Sequence, residues 1–211
     1  MDEIMGIKIR QATESDSLFL AKMILQSSRA GKKGGLFDLL FSGEADEEIV
    51  QKLERLTKTE AKSHCNYKNF LIAEIDDNRV GTLCSYEPRI STKEMFIKAL
   101  DEIGCTKDVA ATLDVFYSCN FEQNRSTLMF DFLEEVEGFI DVGILKALMQ
   151  KSLLTARLKG YRVAQTIIEI GSLEAELFYK KLGFVKTAEI ECESYKETFG
   201  RPGLMLLSIE F

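Results

Sequence analysis

This sequence predicts a mixed α/β (α+β) fold, with a central sheet of about seven strands and helices on both faces. Three observations lead there. Short alternating or β-branched runs are interspersed with stretches whose apolar residues recur every three or four positions, so strand and helix periods share one chain. One pair of strand-like runs flanks a turn-rich tripeptide, which is a hairpin signal. The chain has 211 residues, 45% of them hydrophobic, enough for one sizeable core, so residues 1–211 read as a single domain.

The elements follow in order. Ile7 to Arg10 (IKIR) alternates and forms a first strand. Thr13-Glu14-Ser15-Asp16 offers N-cap oxygens to a helix in which Leu18, Leu20, Ala21, Ile24 and Leu25 recur at helical spacing. Gly31 to Gly35 (GKKGG) breaks that helix. It lacks the full spacing of a phosphate-binding loop and reads as a flexible break. A second helix is expected over Asp46 to Lys62, with Ile49, Leu53 and Leu56 inward. Asn69 to Ile75 and Arg79 to Tyr86 flank Asp76-Asp77-Asn78 as a hairpin, and Pro88, with no N–H for a ladder, closes its second strand.

Ser91 to Gly104 is helical, whereas Asp108 to Gln123 fits neither period. Ser126 to Val136 (STLMFDFLEEV) is a longer strand. A helix runs from Gly143 to Lys159 and stops at Gly160, a natural C′ residue. Arg162 to Ile170 (RVAQTIIEI) is β-branched and apolar, a buried strand. Ser172 to Leu182 is a short helix ending at Gly183, and Phe184 to Ile190 and Gly203 to Phe211 supply closing strands.

Composition removes several functions. A formal net charge of -7 argues against nucleic acid, whose phosphates need clustered Lys and Arg. No apolar run approaches the roughly 18 residues that cross a membrane, and Met1 to Arg10 has no apolar signal-peptide region. His64 is the single histidine, and Cys65, Cys84, Cys105, Cys119 and Cys192 form no CxxC pair, so no metal site is expected. The adjacent His64-Cys65 is a poor nucleophile and base, because sequence neighbours rarely face each other. Five scattered cysteines are expected to be reduced, which places the protein in the cytoplasm.

Two segments carry a family resemblance. Glu174 to Phe184 (EAELFYKKLGF) resembles the A-x-x-x-Y-x-K-x-G-F segment of the GCN5-related N-acetyltransferases, with Ala175, Tyr179, Lys181, Gly183 and Phe184 at matching positions. Ile144 to Tyr161 resembles the helix after that family's pyrophosphate loop. The match is fullest from Ser126 to Phe211. The tail Tyr195 to Gly203 (YKETFGRPG) is similar to a subset of bacterial members. The loop itself departs from the family's Gln/Arg-x-x-Gly-x-Gly/Ala pattern: in Ile140-Asp141-Val142-Gly143-Ile144-Leu145 only Gly143 matches, and Glu134, Glu135, Glu137 and Asp141 crowd the same region.

The resemblance implies an N-acetyltransferase in which a neutral amine attacks acetyl-CoA directly, with no protein nucleophile. CoA would be held by main-chain groups of the long strand and by Val136, Val142, Gly143, Ile144, Leu145, Lys146, Ser172 and Tyr179. The physical cause is the unpaired N–H groups and positive dipole end of a helix. Lys146 adds positive charge near the helix start, and Ser172 either contacts CoA or caps its own helix. Tyr179 either protonates the departing CoA thiolate or packs its ring in the core. Glu134 and Glu135 are the amine-deprotonating carboxylates or attract a cationic acceptor, and alternation lets only one of the two face the cleft. The alternatives are a non-catalytic CoA-binding or interaction protein, and an acyltransferase with another acyl chain or acceptor. A homodimer is expected.

Overall fold

The computed structural model describes residues 6–106, 109–119, 121, 127–139 and 143–211. Seven strands form one sheet: β1 (Lys8–Gln11), β2 (Phe70–Ile75), β3 (Asn78–Tyr86), β4 (Thr127–Glu135), β5 (Val163–Glu169), β6 (Val185–Glu191) and β7 (Gly203–Glu210), in the order β1-β2-β3-β4-β5-β7-β6. All pairs are antiparallel except β4 and β5, which run parallel. Among the described residues the α-helices are α1 (Ser17–Arg29), α2 (Leu36–Leu40), α3 (Asp46–Thr57), α4 (Lys93–Glu102), α5 (Val109–Phe116), α6 (Ile144–Leu158), α7 (Leu173–Lys181) and α8 (Glu193–Phe199).

The sheet is buried on both faces. Helices α1 to α5 and α8 cover one face, over Leu20, Ile24, Leu53, Phe70, Phe96 and Leu113. Helices α6 and α7 cover the other, where Ile144, Leu148 and Met149 meet Val80, Leu83 and Phe130. Each fully buried Leu, Ile or Phe contributes about 1.5–3 kcal/mol. These two layers on one sheet are the fold class that the patterning predicts.

Local chemistry sets the ends of the elements. Asp76 and Asp77, the two hairpin residues, both have positive φ (49° and 60°), the geometry that twists with the flanking strands. Thr92 caps α4 by accepting from the Met95 N–H. Asp16 is buried beneath the start of α1. It accepts from the Thr13 N–H at 2.8 Å and from Arg10 at 2.7 and 2.9 Å, and Arg79 pairs with it at 2.6 Å. One carboxylate therefore ties β1, β3 and the first helix together.

Three expectations need correcting. The second helix stops at Thr57, not Lys62, because the chain turns inward there and buries Ala61, Ser63 and His64. Between β6 and β7 lies helix α8, which the strand reading did not foresee; its short span buries Tyr195 and Phe199. The cysteines are not all reduced: Cys119 and Cys192, 73 residues apart, are joined by a disulfide, so α8 is tied to the turn after α5. Cys65, Cys84 and Cys105 remain free thiols.

Candidate functional site

The site is made by a failure of pairing. Strands β4 and β5 are in register from Thr127↔Val163 to Phe130↔Thr166, and there the ladder ends while both strands continue. At that point β4 carries a bulge. Cys84 pairs with Asp131 and Thr82 with Glu134, so two steps along β3 match three along β4. Phe132 takes φ 46°, a left-handed conformation rare for a bulky residue, and its N–H donates to its neighbour Asp131 Oδ1 at 2.8 Å instead of to the ladder.

The bulge decides which carboxylate faces where. Asp131 and Glu134 register with Cys84 and Thr82 and share the α1 face, whereas Glu135 registers with Gly81 on the α6 face. Glu134 accepts from Gln26 Nε2 of α1 at 2.8 Å. Burial pushes the Glu134 carboxyl above its usual range, opposed by its hydrogen bonds from Gln26 and Ser27.

Asp131 is the residue that sequence reasoning missed. Burial raises its carboxyl to about 6, and the Phe132 N–H is the opposing cause. A half-buried acid in a strand is visible in STLMFDFLEEV as the one charge inside an apolar run, which was the available signal.

Tyr179 lies at the divergence. Its ring meets Phe178 and Phe184 at 5.4 and 5.2 Å, and its hydroxyl is hydrogen-bonded to the side chain of Thr166, the last β5 residue paired with β4. Burial raises the phenol well above its ordinary value, and the charges of Asp131 and Glu134 add to that. The group is thus a protonated donor at neutral pH.

At the start of α6, Gly143 has φ 89° and precedes the helix as its cap residue, and among the described residues beyond its chain neighbours no atom lies within 4 Å of where its Cβ would be. Ile144 is fully buried and lies so close to Gly81 of β3 that a Cβ there would meet Ile144 Cγ2 at 2.5 Å. Leu145 is half-buried and Lys146 exposed, beside the helix entry. Val142, with Ile140 and Asp141, lies outside the described residues. Val136 gives its N–H to Val80 O at 2.9 Å. Ser172 makes no side-chain cap at the start of α7, so the capping reading of its hydroxyl fails.

Within the GKKGG segment, Lys32 and Gly35 make close contacts with the rest of the fold. A Cβ on Gly35 would meet the Ser28 carbonyl oxygen at 2.0 Å, so glycine is required by close packing. Lys32 donates to Glu169 Oε1 at 2.5 Å and to the Phe199 carbonyl at 3.2 Å, and Tyr195 OH donates to the same carboxylate at 3.1 Å. Glu169 ends β5, so this cluster fixes α8 and the α1–α2 connection beside the divergence. Cys65 and Cys84 are buried thiols with raised pKa, which removes the thiolate a covalent route would need. Burial lowers His64 to about 4, so it is neutral.

Solved structures that share this fold include N-acetyltransferases. One from Staphylococcus aureus Mu50 superposes with a TM-score of 0.71 at 17% identity, covering 96% of this chain and 100% of its own. This is the GCN5-related N-acetyltransferase fold. Ribosomal-protein-alanine N-acetyltransferase from Brucella melitensis has the same fold with a TM-score of 0.58 at 17% identity, over 97% of this chain and 99% of its own. Salmonella typhimurium yncA, described as an acetyltransferase and solved with its cofactor acetyl-CoA, matches with a TM-score of 0.57 at 15% identity, over 97% and 93% of the two chains. No family model matches the sequence, and no curated protein is recognisably similar to it. Among the described residues, no helix of this acetyltransferase fold is long and apolar enough to cross a membrane.

Proposed function

We propose that the protein transfers the acetyl group of acetyl-CoA to an amine by direct attack. The observation that carries this reading is the divergence of β4 from β5 with the Tyr179 phenol at its apex and the α6 N-terminus beside it. The open space at Gly143 and the N–H groups of the first α6 turn suit a pyrophosphate, flanked by Ile144, Leu145 and Lys146. Alternate N–H groups along a strand point to opposite neighbours. With Val136 bonded to β3, Leu133 and Glu135 turn theirs toward the β5 side, where the pantetheine arm would lie. Ser172 and Val136 then border the cofactor through side chains.

In the transfer, the amine nitrogen forms a bond to the thioester carbonyl carbon and the carbon–sulfur bond breaks. Tyr179 gives its proton to the departing sulfur. A β4 carboxylate on the α1 face, Asp131 or Glu134, takes the proton from the amine. Glu135, on the α6 face, is the wrong side for that role and stays with the cofactor.

Acetyl-CoA at a hundredfold excess over its dissociation constant is expected to stabilise the protein by about 2.7 kcal/mol, read as a rise in melting temperature. Gly143→Val forces a β-branched residue to φ 89° and is expected to erase that rise. No shift at millimolar acetyl-CoA in the parent protein would reject the site. Thiol release with a panel of amines then separates an enzyme from a binder.

A further inference from the structure

The transfer step makes no use of α8 or of the disulfide at its start. Strands β6 and β7 pair as a hairpin, and the Cys192 N–H donates to the Pro202 carbonyl at 3.0 Å across its neck. Residues 193–201 hang from that neck as α8 and the Gly200 turn that ends it. A seven-residue helix has too few turns to stand alone, so its place is set by what it touches.

It touches two things. On one side Cys192, its cap residue, is bonded to Cys119 in the turn after α5. There the Ser118 and Ser194 hydroxyls lie 3.2 Å apart and the Phe116 and Phe199 rings 5.8 Å apart. On the other side are Glu169 and Lys32. Tyr195 OH donates to Glu169 at 3.1 Å, and the Phe199 carbonyl accepts from Lys32 at 3.2 Å, while Lys32 also holds Glu169 at 2.5 Å. Arg201, just past the helix, pairs with the same carboxylate at 3.6 Å. Glu169 lies beyond Thr166, where pairing with β4 ends. A bridge therefore runs from α5 through α8 to the α1–α2 connection, past the end of the β4–β5 ladder.

The link is not what holds the domain together. Each face of the sheet has its own buried apolar layer, and one disulfide beside three free thiols is no disulfide framework. The two sulfur-bearing residues also differ in access. Cys119 is buried, whereas Cys192 is half-buried, so an outside thiol meets Cys192 first.

We propose that the Cys119–Cys192 disulfide is a redox latch that, when formed, clamps α8 to the α5 side and thereby keeps Lys32 on Glu169. A dithiol reductant opens it. One thiolate attacks the Cys192 sulfur, the bond to Cys119 breaks, and Cys119 leaves as a thiolate that takes a proton. The second thiol then displaces Cys192 and closes the reductant's own disulfide, so the protein gains two electrons and two protons. Released, α8 moves on the Cys192–Pro202 neck, and Tyr195 and the Phe199 carbonyl lose their fixed places beside Glu169 and Lys32. The latch rests on the fold alone; its effect on turnover rests on the acetyltransferase reading.

Hydrogen exchange read by mass spectrometry tests this on the full chain, purified without reductant and then treated with dithiothreitol. Alkylation is expected to leave Cys119 and Cys192 unmodified before reduction and to label both after it. Reduction is expected to speed amide exchange about tenfold or more over residues 193–201 and 30–35 and to leave α6 and α7 unchanged, because local opening frees only what the link holds. Cys192→Ser is expected to give the reduced pattern without dithiothreitol, and Cys105→Ser the parental one. Alkylation of both cysteines before reduction, exchange unmoved by reduction, or a rise that spreads equally to α6 and α7 overturns the latch. A rise that leaves 30–35 at its parental rate overturns the coupling to Lys32. Transfer is followed by the mass of the acetylated amine, and reduction is expected to change the KM of the amine severalfold with that of acetyl-CoA unchanged. Equal KM values in both forms reject control of transfer by the latch. The exchange response in a chain that acetylates no amine upholds the latch and rejects the acetyltransferase reading instead.

Discussion

Tyr179→Phe is expected to lower kcat about 10- to 1000-fold while acetyl-CoA affinity stays at the parental value. The hydroxyl is the only atom removed. The ring keeps its contacts with Phe178 and Phe184, so the fold and the bound cofactor lose little. The loss is bounded because a thiolate leaves readily without full protonation. The phenol titrates well above its ordinary value, so it carries its proton across the whole neutral range, and the parental rate holds as pH rises through neutrality. Steady-state kinetics with a good amine, together with a melting curve at saturating acetyl-CoA, decide the matter. A variant that turns over at the parental rate shows that Tyr179 is a packing residue whose hydroxyl serves Thr166.

Replacement of Asp16 by Asn is expected to remove about 2–4 kcal/mol of stability at neutral pH, because two guanidinium groups lose the one charge they share below the surface. For a chain of this length that is a fall of about 6–12 °C in Tm. The range allows for the exposure of Arg79 and for Glu74, which also pairs with Arg10 at 2.7 Å. The pH dependence has a definite sign. The Arg10 side chain, helped by the Thr13 donors and opposed by desolvation, holds the Asp16 carboxyl far below its ordinary value. A depressed folded pKa gives stability that is complete above the unfolded value near 3.9 and is lost as pH falls toward the folded one. The gap between parent and variant therefore stays constant from pH 7 to about 5 and narrows below about 4. Melting curves across that range check it, and a gap that is absent at pH 7 or constant down to pH 2.5 contradicts the account.

Much of the candidate site was legible because its signals are local. EAELFYKKLGF carries Tyr179 on a short helix ended by Gly183, and the sequence places both without help from the rest of the chain. Gly143 before a long amphipathic helix is equally local, as is the Asp76-Asp77 hairpin. Helix α8 was not legible: seven residues give too few turns for a periodic signal, and Tyr195 and Phe199 become its buried face only against β7 and the α5 side. The Cys119–Cys192 link was illegible for the same reason, since no spacing rule connects residues 73 apart.

By itself, then, the sequence determined the strands, the main helices, the strand–loop–helix unit that ends in Gly143, and the tyrosine of α7, because periodicity, turn residues and caps act within a few positions. The tertiary structure alone decided which of the β4 acids share a face of the sheet. Strict alternation along LMFDFLEEV puts Asp131, Leu133 and Glu135 on one face. The bulge at Phe132, set by pairing with β3, shifts that phase by one residue, so that Asp131 and Glu134 share the α1 face and Glu135 turns toward α6. A single extra residue in a period-two pattern reverses every side chain beyond it, and its position is fixed by the neighbouring strand, not by the residues of β4 itself.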